Sequence, residues 1–222
     1  MNIQPIRHFL SLLLLVVVVS LCLAGPGCKS VYYAAWEKFG VEKRDLLKKR
    51  VVAARDEQKE AGQEFKDALT RLKEMTGFDG GKLEKAYTEL KGDFDNCSGR
   101  ADSVRKKIVE MEGVANDLFA EWEKEILQIS TPSLQANSRQ QLQTTRQRYE
   151  GMHVALKEAE RSMGPVLAQF KDYVLVLKHN LNAQAIASLN SQATGVQSEI
   201  ARLIAQMNQS IAKADEFVKG LQ

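Results

Sequence analysis

The sequence predicts an all-α protein, an elongated antiparallel four-helix coiled-coil bundle that follows an N-terminal signal segment. Three observations carry this. Long stretches are rich in Ala, Leu, Glu, Lys, Gln and Arg, residues that keep side-chain freedom in a helix. Only four prolines and 7% aromatics occur in 222 residues, so helix breakers are scarce. Apolar residues also recur at alternating steps of three and four, the spacing that lines one helical seam.

The N-terminal segment stands apart. Phe9–Leu23 is almost entirely apolar and follows Arg7 and His8; at about fifteen residues it matches a secretory h-region and is short for a membrane span. Residues 1–27 read as a lipoprotein-type signal peptide cleaved before Cys28, the candidate lipidation site, and residues 28–34 as a tether. Gly27 supplies the small residue before the cysteine, while Gly25 and Pro26 depart from a regular lipobox. Ordinary cleavage after Ala24 and a retained membrane anchor are the competing outcomes. Lys29, rather than Asp, after the cysteine points to an outer-membrane lipoprotein facing the periplasm. With Cys22 in the h-region and Cys28 acylated, Cys97 has no disulfide partner.

Residues 35–222 form the helical domain, with helices expected at about 35–76, 82–129, 132–179 and 182–220. The first seam runs Leu47, Val51, Ala54, Gln58, Ala61, Phe65, Ala68, Leu72, Met75, with Gln58 its one polar break. The second runs Leu83, Tyr87, Leu90, Phe94, Cys97, Ala101, Val104, Ile108, Met111, Ala115, Leu118, Trp122. Leu142 to Leu177 give the third, through Thr145, Tyr149, Met152, Leu156, Ala159, Met163, Val166, Phe170 and Tyr173. Ile186 to Leu221 give the fourth, through Leu189, Ala193, Val196, Ile200, Leu203, Met207, Ser210, Ala214 and Phe217. Gly77, Gly80 and Gly81 let the chain reverse after the first helix. Thr131 and Pro132 suit an N-cap and first helical position, and Gly164–Pro165 predicts a kink inside the third helix.

Helices this long make a body roughly 60 to 75 Å in length, supercoiled with shallow left-handed crossings. Short connections make consecutive helices antiparallel. With Cys28 at the membrane, the first and third turns are distal, and Phe78, Asp79, His179, Asn180 and Asn182 are the candidate partner-binding residues. Trp36 and Trp122 fall at one level near the membrane end. Lys48, Lys49 and Arg50 fall close in height to Arg105, Lys106 and Lys107, a candidate basic belt for anionic lipid or cell-wall polymer. Its plainer reading is a solvated face paired with Glu42, Asp45, Glu110 and Glu112. Sustained seams close equally within one chain or between chains, so oligomeric state is not fixed.

Catalytic patterns are scarce. The net charge of +3 is made of interleaved acids and bases, which gives no field for nucleic acid. "GFDGGKL" resembles the end of a phosphate-binding loop, but Thr76 and Leu83 stand where that loop needs Gly and Ser or Thr. Glu150 and His153 have the E-x-x-H spacing of di-iron bundles without the second pair such a site needs. Cys97 reads as a small buried hydrophobe and Gln58 as a register residue. No cofactor, metal or catalytic residue is expected.

The stretches "SVYYAAWEKFGVEKRDLLKKRV", "FDGGKLEKAY", "TRQRYEGM" and "VLVLKHNLNAQAIASL" resemble a family of bacterial envelope proteins known as domain of unknown function number twenty-nine fifty-nine. The likeness covers about Ser30 to Val218. It implies a lipoprotein signal followed by a mostly helical chain; some members carry the label DNA repair ATPase, which no nucleotide-binding pattern here supports. The resemblance carries no catalytic residues over. The expected protein is thus a non-enzymatic, lipid-anchored envelope module, with the membrane, an envelope protein or a cell-wall polymer as partner and no nucleic acid.

Overall fold

The computed structural model describes residues 43–75, 83–179 and 183–221. The chain divides into two compact units, Met1–Asp45 and Leu46–Gln222, and the architecture below is that of the second. It is all-α. Helix α1 spans Lys43–Met75, α2 Leu83–Ile126, α3 Pro132–His179 and α4 Ala183–Lys219. α2 stops three residues short of the expected 129, in a turn closed by Gln128 N–H to Glu125 O at 2.9 Å. α3 is assigned without interruption through Pro165, with Met163 and Val166 both buried.

Side-chain bonds fix the topology. Arg50 reaches Glu110, Arg100 reaches Glu57 and Arg71 reaches Asp93, so α1 and α2 run antiparallel. Arg105 to Glu160 and Glu112 to His153 do the same for α2 and α3. Gln169 to Glu199 ties α3 to α4, and Arg55 to Asp215 ties α4 back to α1. Every neighbouring pair is antiparallel, which makes an up-down-up-down bundle.

The core is the seams. In α1 every member from Leu47 to Leu72 is buried, and α3 and α4 keep the 3,4 step wherever their side chains are described, apart from half-buried Thr145 and Leu221. Met75, Leu83, Ile186, Leu189 and Ala193 have side chains outside those described. α2 departs from its expected series. Ala86, Asp93 and Phe119 are buried, while Tyr87, Phe94, Leu118 and Trp122 are only half-buried. From Ala86 to Ile126 the buried face advances about 3.6 residues per step, the period of a straight helix, which drifts ~20° per heptad from a 3.5 repeat. Over three heptads that drift, about 60°, exceeds half of the ~100° between adjacent residues, and Phe119 takes the place of Leu118.

The core also holds polar groups. Gln58 Nε2 donates to Leu156 O at 3.0 Å, and Ser210 Oγ–H lies against Gln58 Oε1 and Met207 O. Gln58 thus joins α1, α3 and α4 at one level, and Gly62 leaves room for Met207 Sδ, 3.4 Å from where its Cβ would be. Asp93 is held by both Nε and Nη2 of Arg71, a fork-to-carboxylate pair. Cys97 is a free, fully buried thiol, and burial pushes its pKa up to about 12.

The four helices do not end together. Counting from the Arg50–Glu110 and Arg148–Gly220 levels at 1.5 Å per residue, the far ends of α2 and α3 reach roughly 20 Å beyond Leu46 and Gly220. Among the described residues this stretch is a two-helix arm. Its interior holds Ile126 and Leu142, both buried, and polar stitches reinforce it. Trp122 Nε1–H donates to Ser138 Oγ at 3.0 Å, Arg146 pairs with Glu123 at 2.5 Å, and Gln135 Nε2 donates to Ile126 O at 3.0 Å.

Candidate functional site

At the base of the arm, α2 and α3 line a cleft of about 460 Å³ with Asn116, Phe119, Ala120, Arg146, Gln147, Tyr149 and Glu150. Both helices supply it because their 3.6-residue turn puts Asn116, Phe119 and Ala120 on one face and Arg146, Gln147 and Glu150 on the other. Its apolar wall is aromatic. Phe119 meets Tyr149 edge-on at 5.5 Å between ring centres, and Tyr149 meets Phe217 of α4 at 5.9 Å. Arg146 lies over the Phe119 ring at 5.2 Å, held there by Glu123. The cation covers the ring and its carboxylate partner keeps it in place.

Deeper in, His153 stacks on Tyr149 at 5.6 Å with rings 7° from parallel, and its Nε2 donates to Glu112 Oε1 at 2.7 Å. Its Nδ1 is buried without a hydrogen bond, with Glu150 Oε2 3.9 Å away. Burial, then the carboxylates of Glu112 and Glu150, hold the Tyr149 hydroxyl above its ordinary pKa, so it stays a neutral phenol. The E-x-x-H pair therefore faces the α2–α3 boundary, where His153 serves as a clasp to Glu112. Among the described residues, no group of three or more His, Cys, Asp or Glu could hold a metal. Chemically the cleft offers two amides, one cation and one carboxylate around a covered aromatic floor.

Of the residues singled out in the sequence, Cys28, Phe78, Asp79, Asn180, Asn182 and Trp36 lie outside the described residues. His179 is the exposed last residue of α3. It lies with Met75, Leu83 and Ala183 at the bundle end opposite the arm. The belt residues are mostly engaged with acidic partners, and Glu110 brings Arg50 and Lys107 together. Arg50 and Lys107 both bind Glu110, at 2.8 and 3.7 Å, and Arg105 binds Glu160 at 2.8 Å and Asp102 at 3.2 Å. Lys49 is exposed and has a partner, Lys106 is exposed and Lys48 half-buried. The acceptor Glu160 is itself buried, which the seam count missed because it lies one residue beyond Ala159. Its signal was the i,i+3 Lys157, whose Nζ is 3.8 Å away.

The fold and the cleft define a class first: an all-α, up-and-down helical bundle. Within that class the chain belongs to the family described as protein of unknown function (DUF2959), which matches residues 32–221. No curated protein and no solved structure matches the chain. Among the described residues no helix is long and apolar enough to cross a membrane.

Proposed function

We infer that this chain is an exported, lipid-anchored, non-enzymatic protein of the cell envelope, an outer-membrane lipoprotein facing the periplasm that acts as a structural or interaction module. One observation carries the reading: the up-down-up-down topology gathers the ends of α1 and α3 and the starts of α2 and α4 at one end, away from where the chain runs into α1. α3 alone, 48 residues long, spans about 72 Å. A module tethered through Cys28 and the segment before α1 would present the α1–α2 and α3–α4 turns at a distance, for a partner to meet. The mechanism is geometric spacing. The basic belt is the weaker reading, because Glu110, Asp102 and Glu160 already compensate Arg50, Lys107 and Arg105.

Incorporation of labelled palmitate into wild type and Cys28→Ala, with membrane fractionation of both, tests the anchor. Label on wild type alone is expected; no label on wild type would sink it. Pull-down with wild type against Phe78→Ala/Asp79→Ala tests presentation. An unchanged partner list would count against the distal turns.

A further inference from the structure

The tip of the α2–α3 arm is built unlike the rest of the surface. Leu127 and Leu134 are 73% and 58% exposed, more than any other large hydrophobic side chain described, and they flank the turn on either side. From Ile126 through Ser138 there is no charged residue, in a chain that is 27% charged. The hydroxyls of Ser130, Thr131 and Ser133 lie between the two leucines in sequence. The turn is also stiff. Gln135 Nε2 donates to Ile126 O at 3.0 Å and to Ile129 O at 3.4 Å, and Gln135 N–H donates to Thr131 O at 3.0 Å. Carbonyls orphaned at the end of α2 are thereby satisfied by the same side chain that shapes the tip. One turn back, half-buried Trp122 presents an amphipathic ring, and the charges of Glu123, Lys124, Glu125 and Arg139 begin only there.

An uncharged tip that sets exposed leucines beside hydroxyls, with a tryptophan one turn behind, suits a lipid interface, where apolar side chains enter at the headgroup boundary and indoles gather. A second protein copy fits less well, since two leucines bury far less than the area a stable dimer needs. The chain's own reach agrees with a bilayer. Residues 29–42 span at most about 50 Å when extended, so a lipid on Cys28 keeps the membrane within that distance of the start of α1. The arm projects past that same end.

We propose that the α2–α3 turn docks on the phospholipid surface, seating Leu127 and Leu134 at the boundary between headgroups and acyl chains. This rests on the lipid-anchored reading, to which it adds a second contact. One lipid tether lets a bundle swivel; a tether and an inserted tip fix its tilt. Two weak membrane signals together also hold more firmly than either alone.

The test uses the full chain, in a Cys97→Ala background, in phosphatidylcholine vesicles, with a nitroxide at Ser130→Cys or, as control, at exposed Glu158→Cys. Oxygen accessibility at 130 should exceed that at 158 several-fold, with the order reversed for a water-soluble nickel chelate. High salt should leave this unchanged, because no charge pair makes the contact. Leu127→Asp/Leu134→Asp should abolish the difference while palmitate on Cys28 stays at the wild-type level. Equal accessibility at 130 and 158 overturns the proposal. So does protection at 130 that persists without lipid and grows with protein concentration, which assigns the tip to a second copy. If Cys28 takes no palmitate, the anchor reading alone fails, and the same depth readout on the chain with Cys22→Ala and Cys28→Ala added, so that position 130 or 158 holds the one labelled thiol, mixed with vesicles still decides the tip.

Discussion

The four-helix section and the two-helix arm use the same sequence alphabet and reach order by different means. Between Leu47 and Leu72 the seam of α1 is buried throughout, because each side chain meets neighbours from other helices and water is excluded on all sides. In the arm, among the described residues, α2 and α3 have mainly each other. Trp122 and Thr145 stay half-buried, and hydrogen bonds and an ion pair take over part of the work. Two helices bury one face each and leave the flanks wet, so a seam that closes a four-helix core only half-closes a pair. The difference teaches that the arm can open locally while the rest of the bundle stays folded.

The contrast is broken most sharply by paired truncations. Leu156→Ala, at a fully buried position, is expected to cost about 3–5 kcal/mol, and Leu142→Ala in the arm about half as much, since solvent can fill part of the space it leaves. Urea unfolding of both variants gives the comparison; equal costs would mean the arm is as tightly packed as the bundle. Next in size is the buried thiol. Below pH 9, Cys97 is a thiol in both folded and unfolded chains. Between about pH 9 and pH 12 the unfolded chain ionises and the folded one does not, because burial raises the folded pKa to about 12. Stability should therefore fall with rising pH, by roughly 1 kcal/mol per unit, and less steeply in Cys97→Ala. The measured quantity is the difference between the two unfolding curves.

Arg105→Ala leaves the buried Glu160 carboxylate with only Lys157, at 3.8 Å, and should cost about 1–2 kcal/mol. Adding Glu160→Leu to that variant should restore most of the loss, because the unpaired charge is gone. The smallest effect belongs to the arm. Gln135→Ala removes the cap on Ile126 and Ile129 and should lower local stability by about 1 kcal/mol. Amide exchange should then speed up near residues 127–135 with the unfolding midpoint nearly unchanged. A matching drop in global stability would show that arm and bundle unfold as one.

Much of this was legible in the sequence because a seam is local chemistry. The steps from Leu47 to Leu72 and from Met152 to Leu177 place apolar groups on one face of any helix they form, and glycine or proline marks two of the three reversals. Gln58 could be read as a polar core residue from its place in the series; that it bonds Leu156 O and Ser210 could not. The cleft was invisible for a related reason. Arg146 and Asn116 carry no spacing that sets them apart from other solvated residues, Glu150 stands out only for its E-x-x-H spacing with His153, and only the meeting of α2 and α3 brings the three together.

What the sequence determined by itself was the class, the four helices and most of the side chains that fill the core, because the hydrophobic effect acts on periodic patterns that each helix carries alone. What the tertiary structure decided was phase and partnership. After three heptads a straight α2 has turned far enough to bury Phe119 in place of Leu118, and whether a helix coils to keep its seam or turns past it depends on its neighbours. The buried pair of Asp93 with Arg71, the clasp of Glu112 on His153 and the arm beyond the Arg148–Gly220 level arise in the same way. Each depends on where two distant stretches of chain come to lie side by side, which no stretch encodes alone.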